Sequence, residues 1–166
     1  KIRLVFFYSK MKNAILFAFS TASSAATIPV TLKTVEEQLK VEKSVASFSV
    51  PLGATINMDG TAIMQGVATI FIANAYGINL EISDFISVIM VATMASIGTA
   101  GVPGVGLIML SMVLNQVGLP SEGIALIIGI DRLLDMTRTA VNVTGDAAIS
   151  CVVASSEKKI NYNYKE

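Results

Sequence analysis

The stretch "DRLLDMTRTAVNVTGDAA", Asp131 to Ala148, constrains this chain more than any other feature. It lies between the apolar runs "GIALIIGI" and "ISCVVA", where a long apolar helix is expected to continue, yet it carries Asp131, Arg132, Asp135, Arg138 and Asp146. At about 100° per residue, Asp131, Asp135, Arg138, Asn142 and Asp146 fall within a helical arc of roughly 80°, with Thr139 beside it. The chain is 53% hydrophobic and 14% charged, against about 25% charged in a soluble domain, so the composition leans towards a membrane. A charged side chain facing lipid at mid-bilayer costs about 2.5–3.5 kcal/mol. The stripe must therefore face protein, ions or a ligand. Internal ion pairs such as Asp135–Arg138 do not account for all of it, because the face holds more acid than base. A buried net negative charge calls for bound cations.

The rest of the composition removes whole classes of chemistry. There is no His, which excludes Ser–His and Cys–His catalysis and His-ligated metals. The single Cys151 cannot form an internal disulfide and reads as a small packing residue. Lys+Arg and Asp+Glu balance at 12 each, which gives no electrostatic case for nucleic acid. No secretory cleavage site follows the basic start "KIRLVFFYSKMKNA". That start, without Met and almost in mid-helix, reads as part of something longer. The Gly-rich "ASIGTAGVPGVG" lacks the G-K-[ST] of a phosphate loop.

The 166 residues fit one domain. Apolar segments run over 14–30, 45–77, 85–114 and 123–154, separated by the mixed-charge connector "KTVEEQLKVEK", the acidic connectors "INLEISD" and "NQVGLPSE", and the polar tail "SSEKKINYNYKE". A spanning helix needs about 20 residues. The first segment breaks at "STASSAATIP", the second at "NMDGT" and the third at "GTAGVPGVG"; the fourth has no obvious breaker. If the first and third breaks are tips of re-entrant hairpins, the start, the 33–43 connector and the tail share one face. That face then holds every Lys and Arg except Arg132 and Arg138, and the opposite face holds none, the asymmetry of a cytoplasmic side. Each half has a small-residue tip ending in Pro29 or Pro103, followed by a helix with an Asn-bearing polar element, at Asn57 or Asn142. The two hairpins enter from opposite faces, as in an inverted repeat with its site at the repeat interface.

The breaks supply chemistry that matches the stripe. In "GATINMDGTA", Gly60 is expected to license unwinding, which exposes carbonyls suited to a hard cation, with Asn57 and Asp59 adding oxygens. In "STASSAATIP", Ser and Thr donors precede a helix start expected at Pro29, and a helix N-terminus favours a carboxylate. Arg138 binds carboxylate bidentately. Asp135, one turn earlier, holds an ammonium; Asn142, one turn later, takes a second carboxylate with Ser24. Together these groups describe an acidic amino acid.

"TASSAATIP", "PLGATINMDGTA", "ASIGTAGVPGVG" and "DMTRTAVNVTGD" resemble, in order and over nearly the whole chain, the glutamate/aspartate transporters, the dicarboxylate/amino acid:cation symporters. The resemblance implies an all-α membrane protein and assigns residues 1–156 to the C-terminal part of a transport domain. Its parts are hairpin one (1–38), an unwound helix seven (44–79), hairpin two (85–118) and helix eight (123–154); 157–166 is a cytoplasmic tail. It implies a substrate site of Ala22, Ser24, Thr61, Val102, Gly106, Asp135, Arg138, Thr139 and Asn142. It implies sodium ligands at Gly53, Asn57, Asn142 and Asp146, at Thr55, Ser96, Ile97 and Thr99, and at Asp59 with Asn57. Sodium is the coupling ion, with no other cofactor. The partners implied are membrane lipid and a homotrimer formed through a scaffold not included here. Asp146 resembles sodium-coupled members and Arg138 acidic-substrate members. Many relatives carry an Arg either at the hairpin-one tip or beside the position of Asp135; the chain departs from them, with Ala22 and Met136 there. The alternatives are a symporter of C4-dicarboxylates or neutral amino acids, whose substrates leave Asp135 or Arg138 unpaired, and a structural or channel-like module. An enzyme does not fit, since Asp135 and Arg138 are no nucleophile–base pair.

Overall fold

The two small-residue breaks become two loops that meet in the middle of the molecule. In the computed structural model, which describes residues 3–161, α1 (Leu4–Thr21) stops at Ala22, whose left-handed backbone closes the helix on the Ala18 carbonyl. Ser23 starts α2 (Ser24–Lys33), its Oγ accepting from the Ala26 N–H at 3.1 Å, the usual means of satisfying a first-turn donor. The helix start therefore differs from the one expected at Pro29. The Ser23 cap fixes it five residues earlier, and Pro29 lies inside α2. A π-turn over Thr34–Gln38 follows.

α3 (Lys43–Ile56) and α4 (Asp59–Ala75) are separated by Asn57 and Met58, both in non-helical conformations. Gly60 is not the residue that unwinds; it is helical, within α4. Its missing side chain instead lets α4 press on the helix that carries Arg138, because a Cβ there would overlap the Arg138 carbonyl and lie 2.8 Å from the Arg138 Cα. α5 (Ile82–Ile97) opens with a reciprocal Glu81–Asp84 capping box. The 98–104 loop turns through Gly104 at φ 83° into α6 (Val105–Gln116).

α7 covers Asp131–Ser156, 26 residues or about 39 Å. The continuous helix expected over 123–154 therefore begins eight residues late, after a 3-10 turn over Ser121–Leu126. Gly123 and Gly129 each weaken a helix by about 1 kcal/mol relative to Ala. Gly123 is also needed where the turn packs on Ile72, which a Cβ would overlap. Asp131 thus stands at the helix start rather than in its middle.

All elements among the described residues are helical or turn, apart from one isolated bridge between Val41 and Ile160. α7 is the central element: it packs on α1 and α3 along one part and on α4 along another. One apolar core joins Met11, Val35, Leu39, Val50, Val143 and Ala147; a second joins Ile72, Leu110, Leu114, Leu119 and Ile127. The 33–43 connector and the tail lie together, since Glu42 N–H donates to the Lys159 carbonyl at 2.9 Å and Asn161 N–H to the Lys40 carbonyl at 3.1 Å. Leu80 and Leu119 share the second core, which gathers the acidic connectors. Lys1 and tail residues 162–166 lie outside the described residues. The outer helix faces are rich in exposed large apolar side chains, Val5, Phe48, Val67 and Leu133 among them. No helix of the described residues is by itself long and apolar enough to cross a membrane; α7 has the length, but its polar stripe lowers its hydropathy.

Candidate functional site

The α7 stripe is buried throughout: Asp131, Asp135, Arg138, Thr139, Asn142 and Asp146 all point into the protein, while Arg132 is exposed. Asp135 and Arg138, one helical turn apart, form a buried ion pair, with Nη2 at 2.8 Å and Nε at 3.0 Å from Oδ1. The other carboxylate oxygen, Oδ2, accepts from the Gly104 N–H at 2.8 Å. Arg138 Nη1 is buried with no hydrogen-bond partner. A buried guanidinium donor left unpaired costs roughly 1–3 kcal/mol, a cost that an acceptor reaching Nη1 would remove.

Around this pair lies a polar cavity. Ala22 and Ser24 come from the first loop and α2, Thr99, Ala100, Gly101 and Val102 from the second loop, Met58 and Thr61 from the α3–α4 break and α4, and Asp135, Arg138, Thr139 and Asn142 from α7. Its volume is about 10 Å³, the space of about one water. The loops touch through Gly101, whose carbonyl accepts from Ser23 Oγ at 2.8 Å and from the Ala25 N–H at 3.1 Å. A Cβ on Gly101 would come within 3.2 Å of both α2 and the Ala54 carbonyl, so a side chain here would require its neighbours to give by a few tenths of an ångström.

Of the nine residues expected at a substrate site, eight line this cavity: Ala22, Ser24, Thr61, Val102, Asp135, Arg138, Thr139 and Asn142. Gly106 does not line it. It stands directly over the Arg138 guanidinium, where a Cβ would overlap Nη1 and lie 2.7 Å from Nη2. Sequence reasoning missed Met58, Ala100, Gly101 and Gly104. The "NMDG" break and the Gly-rich loop signalled their neighbourhoods but not their contacts.

The residues expected to bind sodium fall into two groups. Asn57 Nδ2 donates to Asp146 Oδ1 at 3.0 Å and to the Asn142 carbonyl at 3.3 Å. Gly53 presses on the same carboxylate, its Cβ position 2.6 Å from Oδ1. Asp59 Oδ2 and Asn57 Nδ2 both lie against Gly145. Gly53, Asn57, Asp59, Asn142 and Asp146 are thus brought together. Ser96, Ile97 and Thr99 form the end of α5, the Thr99 N–H donating to the Ser96 carbonyl at 3.1 Å. Thr55 is exposed, with its hydroxyl on the Pro51 carbonyl at 3.1 Å. No hydrogen bond among the described residues joins it to that group, although α3 and α5 touch. Asn142 links the two halves of the site: its Oδ1 accepts from the Gly60 N–H at 2.7 Å, and its Nδ2 reaches Met58 Sδ at 3.2 Å and Thr61 Oγ1 at 3.3 Å. Among the described residues no three acidic or thiol side chains gather as a metal centre; a cation here would be held mainly by carbonyl and amide oxygens.

Two helical breaks thus meet beside a buried charged stripe on α7. The family model described as "Sodium:dicarboxylate symporter family" matches residues 1–156, and the chain belongs to that family. It is 48% identical over 149 residues to "Excitatory amino acid transporter 3" of Mus musculus, covering 90% of this chain and 28% of that protein. It is 46% identical over 154 residues to "Excitatory amino acid transporter" of Caenorhabditis elegans, covering 87% and 31%. It is 47% identical over 141 residues to "Excitatory amino acid transporter 2" of Homo sapiens, covering 85% and 25%. The chain thus spans about a quarter to a third of the length of the curated relatives it matches.

Proposed function

We propose that the full-length protein is a sodium-coupled symporter of acidic amino acids, L-glutamate or L-aspartate, and that this segment is the C-terminal part of its transport domain. The observation that carries the reading is the buried Asp135–Arg138 pair, with Arg138 Nη1 unpartnered, inside a cavity walled by both loops. A substrate side-chain carboxylate supplies the acceptor that Nη1 lacks. The α-amine goes to Asp135, and the α-carboxylate goes to Asn142 and Ser24. An amine on Asp135 Oδ2 displaces the Gly104 N–H now bound there, so ligand binding and the position of the 98–104 loop are linked. A succinate-like dicarboxylate has no amine for Asp135, and a neutral amino acid leaves Nη1 unsatisfied; both alternatives are disfavoured on that ground.

Sodium fits beside Asp146. Turning the Asn57 amide brings its oxygen to where Nδ2 now stands between Asp146 Oδ1 and the Asn142 carbonyl, and a hard cation replaces the amide hydrogens. α1–α2 and α5–α6 act as re-entrant hairpins and α3–α4 as a broken helix, related as inverted repeats. Hairpin two, through the 98–104 loop, serves as the extracellular gate. Movement of the whole domain against a scaffold outside this segment gives alternating access in a homotrimer. The protein is a multi-pass component of the cell membrane, and the end holding the 33–43 connector and the C-terminus is cytoplasmic.

Equilibrium binding to the full-length protein tests the substrate class. Aspartate and glutamate are expected to bind in sodium and to resist competition by succinate or serine at equal concentration. Tighter binding of succinate or serine would overturn the assignment.

A further inference from the structure

A second polar cavity lies far from the stripe, at the open end of the α1–α2 hairpin. Lys10 and Lys33 stand at nearly equal chain distance from the Ala22 turn, roughly 17 Å along the paired helices. Between them opens a cavity of about 460 Å³, lined chiefly by Ser9, Lys10, Lys12, Asn13, Lys33 and Glu37. Three lysines and one glutamate line it. The Asp135–Arg138 pair is the one ion pair among the described residues, so no acid within 4.0 Å neutralises these lysines. Lys10 is held over the Phe6 ring, its Nζ 5.4 Å from the centroid, a contact that limits the freedom of this cation. Ser9 and Asn13 make no side-chain hydrogen bond among the described residues and add neutral donors. The transport reading uses none of these groups.

We infer that this cavity binds the phosphate headgroup of an acidic phospholipid. Three cations around neutral donors match a phosphate, and the volume suits a headgroup rather than a bare ion. The adjacent outer face of α1 is apolar and open, with Val5 and Leu16 exposed, which provides a surface for acyl chains running from the same point. The cavity also lies at the Lys-rich end of the molecule, where anionic lipid is concentrated if that end is cytoplasmic. This last point rests on the orientation proposed above; the cavity's charge and shape do not.

The test uses the full-length protein in neutral detergent, with short-chain phosphatidate and inorganic phosphate as probes and native mass spectrometry as the readout. Wild type is expected to retain phosphatidate. The K10Q/K12Q/K33Q variant is expected to bind it at least tenfold more weakly. K40Q/K43Q, which removes charge from the same end but outside the cavity, is expected to bind as wild type does. Equal loss in both variants would reduce the effect to general surface charge and overturn the site. Inorganic phosphate binding as tightly as phosphatidate would overturn the lipid assignment in favour of the free anion, and no retention of either probe would overturn the inference entirely. Sodium-dependent aspartate binding, measured on the same samples, separates the two readings. Intact aspartate binding without lipid retention refutes the cavity alone, and lipid retention without aspartate binding refutes the transport reading alone.

Discussion

Gly106→Ala and Gly60→Ala insert the same methyl group against the same residue, Arg138, and are expected to give opposite results. At Gly106 the methyl overlaps the guanidinium, the far end of a flexible side chain. Arg138 can swing away, so the fold survives, and alanine in the first turn of α6 contributes up to about 1 kcal/mol of helix propensity. The swing breaks the bonds of 2.8 and 3.0 Å to Asp135 and removes the guanidinium from the cavity. A charge-assisted hydrogen bond contributes about 1.5–3 kcal/mol, so losing one to the ligand weakens aspartate binding about 10- to 150-fold. At Gly60 the methyl meets the Arg138 carbonyl and Cα, atoms of the helix backbone that cannot rotate aside. Overpacking of that kind costs about 1–3 kcal/mol. Against the same propensity gain of up to about 1 kcal/mol in the first turn of α4, a clash with the backbone carbonyl is expected at the upper end of that range and lowers the thermal midpoint. Thermal unfolding and equilibrium aspartate binding, measured on both full-length variants, give the comparison. Wild-type aspartate affinity in Gly106→Ala would refute the placement of Arg138 beneath α6, and wild-type stability in Gly60→Ala would refute the α4–α7 contact.

Two further substitutions probe separate links. Asp146→Asn keeps the shape beside Asn57 but removes the charge; the sodium concentration for half-maximal uptake is expected to rise at least tenfold, with the fold intact. Ser23→Ala removes the α2 cap and the tie to the Gly101 carbonyl, about 1 kcal/mol each, so a loss of about 2 kcal/mol is expected in chemical denaturation.

The stripe was legible because burial at helical spacing writes itself into the order of residues: Asp135, Arg138 and Asn142 recur at steps of three and four. The breaks at "STASSAA", "NMDG" and "GTAGVPG" were legible for the same local reason, as small residues interrupting apolar runs. Their consequences were less so. Pro29 looked like a helix start, but the Ser23 side chain caps α2 earlier. Gly60 looked like the residue that licenses the unwinding, but it is a contact between helices that only the packing of α4 on α7 reveals. Gly123 and Gly129 delay α7, and nothing in hydropathy alone separates a turn of Ile and Leu from a helix of them. Least legible were the pairings across long separations, such as Ser23 with Gly101 and Gly104 with Asp135, since those depend on how the two loops meet.

The most direct measurement is radiolabelled aspartate uptake into proteoliposomes holding the full-length protein, with and without an inward sodium gradient, for wild type and Arg138→Ala. Uptake by wild type that requires sodium and vanishes in Arg138→Ala is the expected result. Uptake of equal rate in the variant, or uptake driven as well by a proton gradient without sodium, would contradict a site in which Arg138 holds the substrate carboxylate and Asp146 the coupling ion.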